Sequence, residues 1–575
     1  MYEDALSTQH KLHTLILTGN PLAFMSYDAF SGLDSLVRLI MPQTAVTDLE
    51  DIPIAELQLD TLDVSSGSIH NLEGLAALNF KKMTALNLAR NNIASLRASD
   101  LQAFRGTSGD VEVSFQSNNI ISVERGVFGA LRFRSLDFCG CFARADVSVV
   151  LKGLEGVATE KLNLGTFNDA PHRHIKTESL CSLCNTTVTH LSFERQRWED
   201  LSNATFQCLG GLRALDMTEM SISHLPDNIT TMGKLAQLTL DRNKFGNVCD
   251  VNAHNFPSLT SLSMQGIAEF TKGHCIFNDD CFQGLSQLEY LDLSHSTVHA
   301  DGLCCERQLK GLGQLRLLNL SYNDAMRWGA LPFAATPQLR HLDCSHLSVT
   351  LNSSAPFRNL ALLQTLNLSR TSLSVTHPRL LEGLKSLVHL DLRGNPISEG
   401  VVSDPEIFKH VPDLESLILA ECNLTGIGGN LFHALTKLTH ADLSANHLAK
   451  LSTSAFFSLA SIRLNYAHNL IELVDISSVQ GLGPSSLVDL SFNPLTCNCS
   501  NIKFIDWVKA NVDKLVHADE TLCSGSHQKI SDVTLHCYSV AGAVAFGVTM
   551  LVVALTIAAV SAFKKWKTYN RYTQL

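Results

Sequence analysis

The 575-residue sequence has little of what marks several protein classes. Glycine (34 residues) and proline (15) are too few for a collagen, and an apolar fraction of 45% is too high for a disordered chain. Aromatic residues make up only 7%. The net charge of −11 argues against a general nucleic-acid-binding protein, which would need a basic surface.

Acidic residues are missing from the end of the chain. Every Asp and Glu lies before residue 538, so that part carries 40 basic and 55 acidic residues, or −15, and the rest carries +4. The segment 540–562 has no charge, and 23 residues are enough to cross a hydrocarbon core of about 30 Å as a helix. The alternative, a buried helix of a soluble domain, is disfavoured because Lys564, Lys565 and Lys567 follow, as they do on the cytoplasmic side of a membrane span.

The two ends lead to further expectations. Residues 1–539 are expected outside the cell, and the 13 residues 563–575 are too few to fold into a signalling domain. Tyr572–Leu575 matches a tyrosine-based sorting pattern, which four residues also match by chance. The first 11 residues lack the apolar run of a signal peptide, and no cysteine precedes Cys139, so we expect that N-terminal sequence is missing.

No arrangement of residues indicates catalysis or a cofactor. The sequence shows no nucleophile–base set, phosphate loop or metal-ligand cluster, and its 23 histidines are scattered. Cys181-x-x-Cys184 and Cys139-x-Cys141 lack a second half at zinc-site spacing. We therefore predict a protein that is not an enzyme and that holds no metal or cofactor.

What fills the chain is one repeat, LxxLxLxxNxL. Twenty units align on their Asn position with spacings of 23 to 29 residues, at positions 20, 44, 67, 91, 118, 141, 167, 196, 220, 243, 267, 296, 323, 347, 371, 395, 422, 446, 469 and 493. This is the period of leucine-rich repeats. Each LxL predicts a short strand with alternate side chains inward, and stacked units bury the apolar set. Phenylalanines in regular phase, from Phe30 to Phe456, predict a buried row on the convex side.

The Asn position is not uniform along the array. Asn fills nine of the 20 positions, and other residues fill most of the central ones, among them Cys141, Gln196, Ser296 and Thr371. We expect the centre to lack the repeated side-chain bonds of the flanks and to curve differently. Such irregularity arises by drift or shapes a binding surface, and the sequence favours neither.

Cysteines outside the repeat pattern are candidates for disulfides. Cys184 and Cys208 are one repeat apart and are predicted to pair, whereas Cys249 could pair with Cys275 or Cys281. Cys139, Cys181, Cys304 and Cys305 have no assigned partner. Cys141, Cys344 and Cys422 occupy repeat positions that predict buried thiols.

Asn-x-Ser/Thr sequons predict glycosylation on an extracellular array. The predicted sites are Asn185, Asn203, Asn228, Asn319, Asn352, Asn367 and Asn423. Asn498 is an eighth sequon and is expected to be the least accessible, because it lies between two cysteines. Asn319 and Asn367 lie at outward strand positions, where glycans would crowd the concave face.

Charged residues group in the central repeats. Exposed positions on three successive units carry Glu194, Arg195, Asp216, Glu219, Asp241 and Arg242. Either these residues are simply a solvated concave face, or they form part of a partner-binding surface in which charges set specificity and encounter rate.

The segment after the last repeat resembles the cysteine cap that closes leucine-rich-repeat arrays. Its cysteines are Cys497, Cys499, Cys523 and Cys537. The resemblance implies pairing of the first with the third and the second with the fourth, and Trp507 lies in a predicted helix that would cover the open end.

These features predict an α/β fold, a leucine-rich-repeat solenoid or horseshoe with a parallel concave sheet. The predicted domains are the repeat array at 1–495, the cysteine-rich cap at 496–538, the transmembrane helix at 540–562 and a short basic cytoplasmic tail at 563–575.

The whole arrangement resembles the ectodomains of Toll-like receptors and, more closely, homologues of those receptors that lack a TIR signalling domain. The matching stretches keep their order along most of the chain: LILTGNPLAF at Leu15–Phe24, LNLGTF at Leu162–Phe167, TFQC at Thr205–Cys208, NFPSLTSL at Asn255–Leu262, Cys304-Cys305, and NPLTCNCS at Asn493–Ser500.

The resemblance implies an innate-immune receptor in the cell membrane. Such a receptor binds a secreted lipid-binding accessory protein of the MD family and modulates Toll-like receptor responses to lipopolysaccharide and B-cell activation. It implies pairing with a related Toll-like receptor and a homodimer formed through the accessory protein, and it assigns no partner-contact residues. The alternative is a leucine-rich-repeat adhesion or cytokine-tethering membrane protein, which would differ in its partner.

Overall fold

The computed structural model describes residues 6–77, 80–107, 109–141, 147–167, 174–198, 201–229, 232–267, 275–374, 376–397, 400–457, 459–537 and 540–572. The chain divides into two compact units. Unit 1 comprises residues 1–395 and 406–414, and unit 2 comprises residues 396–405 and 415–575. His172, Arg173 and the last three residues of the sorting pattern lie outside the described residues.

The parallel sheet of unit 1 is built from one short strand per repeat. In nearly every strand the central leucine is buried and its neighbours face outward, as the alternation of an LxL strand requires. Adjacent strands pair in parallel with the leucines in register, for example Leu62 opposite Leu86. The strands are Thr14–Ile16, Arg38–Ile40, Thr61–Asp63, Ala85–Asn87, Glu112–Ser114, Arg132–Asp137, Ala158–Asn163, Thr187–Ser192, Ala214–Asp216, Gln237–Thr239, Ser261–Ser263, Tyr290–Asp292, Leu317–Asn319, His341–Asp343, Thr365–Asn367 and His389–Asp391.

Small parallel sheets follow some of these strands in unit 1. They pair Ser95–Leu96 with Ser122–Val123, His174–Ile175 with Arg197–Trp198, Cys275–Ile276 with Val298–His299, and Leu303–Cys304 with Met326–Trp328 and Val349–Leu351. The helical segments are short: the α-helices Ser148–Gly153 and Asn203–Phe206, and the 3₁₀ helices Leu49–Asp51, Glu73–Ala77, Gln102–Gly106, Thr177–Asn185 and Val248–Asp250.

Unit 2 repeats this architecture and adds the C-terminal cap. Its main parallel strands are Ser416–Ile418, His440–Asp442, Arg463–Asn465, Leu487–Asp489 and Leu515–Val516, and Val401–Val402 pairs with Gly426–Ile427. Its α-helices are Ile476–Gln480, Ile502–Ala510 and Val540–Tyr572, and its 3₁₀ helices are Ser454–Phe456, Cys499–Asn501, Val512–Lys514, Ala518–Glu520 and Ile530–Asp532. The predicted leucine-rich-repeat fold with a long parallel sheet is thereby confirmed.

Buried asparagines tie neighbouring repeats together. Asn243 is fully buried; its Nδ2 donates to the carbonyl oxygens of Met217 and Leu240, each at 2.8 Å, and its Oδ1 accepts from Met220 N and Ile222 N at 3.0 Å. One side chain thus satisfies four backbone groups that a tight turn would leave unpaired. Asn91, Asn118, Asn395, Asn446, Asn469 and Asn493 donate to their own and the preceding repeat in the same way.

The expectation that the centre lacks these bonds is partly wrong. Gln196 Nε2 donates to Leu164 O at 2.8 Å, and Ser296 Oγ lies 2.7 Å from Met264 O. The Thr371 hydroxyl and the Cys141 thiol likewise contact carbonyl oxygens, at 2.8 and 3.0 Å. A hydroxyl, a thiol and a longer amide can all donate to the carbonyl oxygens that Asn binds in other repeats. Counting asparagines alone therefore underestimates how many repeats have this side-chain hydrogen bond.

Apolar side chains fill the space behind the sheets. The phenylalanine row is buried, as predicted: Phe30, Phe104, Phe128, Phe206, Phe282, Phe357, Phe432 and Phe456 are at most 3% exposed. Rings of successive repeats touch, with Phe432 and Phe456 centroids 4.9 Å apart. Of the six cysteines outside disulfides, five are also buried, namely Cys139, Cys141, Cys275, Cys344 and Cys422, whereas Cys181 is exposed.

The cap closes the last strand with disulfides and a helix. The disulfides are Cys497–Cys523 and Cys499–Cys537. The helix Ile502–Ala510 buries Phe504, Ile505 and Val508 fully, and Trp507, half-buried, packs its ring on Phe504 with centroids 6.1 Å apart. Because the strand Leu515–Val516 pairs with Leu487–Asp489, the cap also extends the sheet by one strand.

Candidate partner-binding surface

Three charged side chains on successive repeats form a ladder of ion pairs. Arg195, Glu219 and Arg242 each lie immediately before the Asn position of their repeat, and all three have a positive φ. The Glu219 carboxylate binds Arg195 Nε through Oε2 and Arg242 Nε through Oε1, the latter at 2.9 Å. One carboxylate therefore bridges two guanidinium groups. We call Arg195, Glu219 and Arg242 the charge ladder.

Glu194 completes the ladder from the side. Its carboxylate lies 3.8 Å from Arg195 Nε. Burial raises the pKa of Glu194, Arg195 opposes that rise, and the carboxylates of Asp216 and Glu219 add to it. The hydrogen bond that Arg195 donates to the Glu219 carboxylate raises the pKa of Arg195. The cluster is therefore partly desolvated, with side-chain exposure of 18% at Glu219 and 49% at Arg242.

The other two predicted residues do not join this ladder. Asp216 accepts hydrogen bonds from Thr218 N at 3.0 Å and Ser192 Oγ at 3.1 Å. Asp241 accepts from Gln265 N at 2.8 Å and Ser263 Oγ at 2.6 Å, and its pKa is raised mainly by burial. Asp216 therefore closes the turn after its own strand, whereas Asp241 joins its repeat to the next one. The role of both carboxylates in partner binding stays a prediction.

Next to the ladder, the outward side chains of the sheet line a shallow groove. Its volume is about 420 Å³, and its lining includes Asp137, Lys161, His190, Glu194 and Asp216. Burial also raises the pKa of Asp137. A groove with charges of both signs and a hydrogen-bonding rim is suited to a folded protein partner, in which polar groups set specificity.

A second row in the same register was missed by the sequence analysis. The rings of His295, Tyr322 and His346 stack with centroids 4.2 and 4.1 Å apart and planes within 12° of parallel. Each residue directly precedes an Asn position, as the charge-ladder residues do. Reading that single position along all the repeats would have found both rows.

The remaining predicted sites fall in the following places. Cys184 is bonded to Cys208 and Cys249 to Cys281, while Cys304 is bonded to Cys305. Five sequon residues are exposed, namely Asn185, Asn203, Asn228, Asn352 and Asn423. Asn319 and Asn367 are half-buried on strands, where their Nδ2 atoms donate to Asp292 and Asp343, each at 3.1 Å.

The expectation for Asn498 is wrong, because this residue is exposed. Its Oδ1 accepts from Ser500 N at 2.9 Å at the start of a 3₁₀ helix, which turns the side chain to the surface between the two bridged cysteines.

Comparison with known proteins places this architecture in a receptor family. A leucine-rich-repeat family model matches residues 337–397. The chain is 34% identical to the mouse CD180 antigen over 575 residues, covering 99% of this chain and 86% of the relative. It is 28% identical to cattle Toll-like receptor 4, over 84% of this chain and 57% of that receptor.

A solved structure agrees with the sequence comparison. The crystal structure of the mouse RP105/MD-1 complex matches with a TM-score of 0.83 and 33% identity, covering 93% of this chain and 89% of that chain. Among the described residues, one helix is long and apolar enough to cross a membrane. Together with the fold and the cap, it defines a receptor of the Toll-like receptor type, a single-pass type I membrane protein with its repeats outside the cell. Within that class, the chain belongs to the CD180 antigen family. The predicted resemblance is confirmed.

Proposed function

We propose that this chain binds a secreted lipid-binding accessory protein of the MD-1 kind and, as that complex, modulates Toll-like receptor responses to lipopolysaccharide and B-cell activation. The observation that carries the proposal is the match over 93% of the chain to a receptor solved in complex with MD-1. The receptor acts by binding and catalyses no reaction. We further propose homodimerisation through the accessory protein and pairing with a related Toll-like receptor.

We propose that the charge ladder and the adjoining groove are part of the accessory-protein contact. Arg242 supports this placement because half of its side chain stays exposed while Glu219 fixes its direction. A cation that is already held in one orientation loses less entropy on binding than a free surface lysine. The ion pairs also favour a partner with complementary charges over others.

The test is co-expression of the full chain with MD-family accessory proteins, followed by purification through a tag on the accessory protein. We expect stable co-purification, which Arg242→Glu weakens at least tenfold. The matched control is Arg379→Glu, since Arg379 also pairs with a glutamate, Glu382, but lies in a turn between strands. If no accessory protein is retained, the proposal fails and the adhesion or cytokine-tethering interpretation takes its place. Equal loss of accessory-protein binding in both variants would show that the charge ladder is not part of the contact.

A further inference from the structure

The last helix carries a cationic face beyond its apolar segment. The helix Val540–Tyr572 continues past Ala562, the last residue of the uncharged stretch, for nearly three turns. At 100° per residue, Lys564, Lys567 and Arg571 fall within an arc of about 60°. Lys565 lies about 100° from Lys564, outside that arc. We call Lys564, Lys567 and Arg571 the basic face.

The basic face lies at the depth of the lipid headgroups. With a rise of about 1.5 Å per residue, its three residues lie roughly 3 to 14 Å beyond Ala562, and the headgroup layer starts where the apolar segment ends. The Cα–Cβ bonds of a helix tilt toward its N-terminus, which here is the membrane, so these long side chains lean back toward the headgroups. All three residues are exposed.

Aromatic side chains fix this position. Phe563 and Trp566 lie beside the basic face with ring centroids 5.8 Å apart, and Tyr569 follows; they are 61%, 58% and 70% exposed. Tryptophan and tyrosine favour the membrane–water interface, where the ring is half in the apolar region. The aromatic side and the basic face therefore place the same turns of the helix at the headgroup layer.

The cations of the basic face need an external counter-charge. Residues 533–575 contain no Asp or Glu, so no acidic side chain of this segment can pair with them. Like charges at i,i+3 and i,i+4 spacing, as in Lys564/Lys567 and Lys567/Arg571, oppose helix formation. A single anion can pair with one of them, whereas a headgroup with several phosphates can contact all three over about 10 Å of helix.

We propose that the basic face binds the headgroup of a phosphoinositide carrying more than one phosphate in the cytoplasmic leaflet. Charge complementarity selects this occupant, because the leaflet supplies polyanionic headgroups at the depth of the cations. This binding is independent of the accessory protein proposed above. It would enrich the receptor in membrane regions that contain this lipid.

The experiment uses the full chain in phosphatidylcholine nanodiscs titrated with headgroup-labelled phosphatidylinositol bisphosphate, with phosphatidylserine at equal added charge as the second arm. We expect saturable binding of the bisphosphate lipid and little of phosphatidylserine. Each cation that contacts the headgroup contributes about fivefold, so Lys567→Gln should weaken binding about fivefold and Lys564→Gln/Lys567→Gln/Arg571→Gln by roughly 100-fold.

Lys565→Gln is the matched control, since it removes the same charge from the same segment but outside the basic face. We expect it to stay within twofold of the unmodified chain. Absence of binding overturns the proposal. So does equal loss in Lys565→Gln and Lys567→Gln, or equal binding of phosphatidylserine, because both results would indicate diffuse attraction of charge rather than a site. Unchanged accessory-protein binding in every variant shows that the ectodomain is intact.

Discussion

At the scale of single residues, the stacking of repeats depends on side chains at the Asn position that satisfy several backbone groups at once. We expect Asn243→Ala to destabilise the ectodomain by about 3 kcal/mol, because it strips partners from buried carbonyl and N–H groups, each of which costs about 1–3 kcal/mol when left unpaired. The measurement is the midpoint of urea unfolding followed by circular dichroism. Asn20→Ala is the matched control, because Asn20 occupies the Asn position of its repeat and donates to Leu17 O but is exposed. We expect its free energy of unfolding to change by less than about 1 kcal/mol. Equal losses of stability in the two variants would show that burial does not determine how much a residue at the Asn position stabilises the fold.

A second residue-scale prediction concerns Asp241. Burial raises its pKa in the folded state above the ordinary value, so the folded chain holds a proton there more tightly than the unfolded chain. Ionisation of Asp241 therefore lowers stability as the pH rises through that window. Asp241→Asn keeps an oxygen that can accept from Ser263 and Gln265 but removes the charge. We expect equal or higher stability at neutral pH and a weaker fall in stability above pH 4, measured as the melting temperature against pH. A lower melting temperature for Asp241→Asn at pH 7 would contradict this reasoning.

At the scale of elements, the cap limits the stability of the last repeats. Replacing Cys499 and Cys537 by serine opens a bridge that spans 38 residues, for which chain entropy alone gives about 4 kcal/mol. We expect the helix Ile502–Ala510 to open and trypsin to cleave at Lys503 and Lys509 at much lower doses than in the unmodified chain. Cys181→Ser, at an exposed free cysteine, is the control and should leave the cleavage pattern unchanged. Retained protection in the double variant would mean that Phe504, Ile505 and Val508 hold the cap without this bridge.

Strands were the elements that the sequence predicted best, and the charged surface was predicted least completely. Leucines that alternate within a repeat of 23 to 29 residues allow only one strand position and one pairing register. The sequence therefore predicted that Leu62 and Leu86 lie opposite each other in neighbouring strands. The sequence singled out all six charged residues. It did not show that Glu219 bridges two arginines, or that Asp216 and Asp241 instead accept hydrogen bonds from backbone N–H and serine hydroxyl groups. That division depends on which partners each side chain reaches in the neighbouring repeats, and repeat spacing does not encode those contacts. The stacked His295, Tyr322 and His346 were missed because the repeat template LxxLxLxxNxL leaves the position before Asn unspecified.

At the scale of the whole molecule, the extracellular charge is strongly negative, with 55 acidic against 40 basic residues before position 538. Such a field slows the approach of an acidic partner and speeds that of a basic one, and both effects weaken as ionic strength rises. Arg195 and Arg242 are cations within that field, and the Glu219 carboxylate partly neutralises their charge. Removing that carboxylate should therefore change the association rate with a partner more than it changes the stability of the fold.

Glu219→Gln tests this argument. The Glu219 side chain is only 18% exposed, but glutamine keeps an oxygen that can accept from Arg195 or Arg242, so we expect a loss of about 1 kcal/mol and a small change in melting temperature. If the accessory protein contacts the charge ladder, its association rate at low salt should shift severalfold, and the shift should disappear at high salt because the interaction is screened. Surface plasmon resonance at two ionic strengths measures both rates. Glu382→Gln breaks the comparable pair with Arg379 and should leave the association rate unchanged. If the association rate of Glu219→Gln matches that of Glu382→Gln at both ionic strengths, the accessory protein binds another surface. Removing the Glu219 charge leaves the Arg195 and Arg242 cations without that counter-charge, and two such cations within the contact would change the association rate.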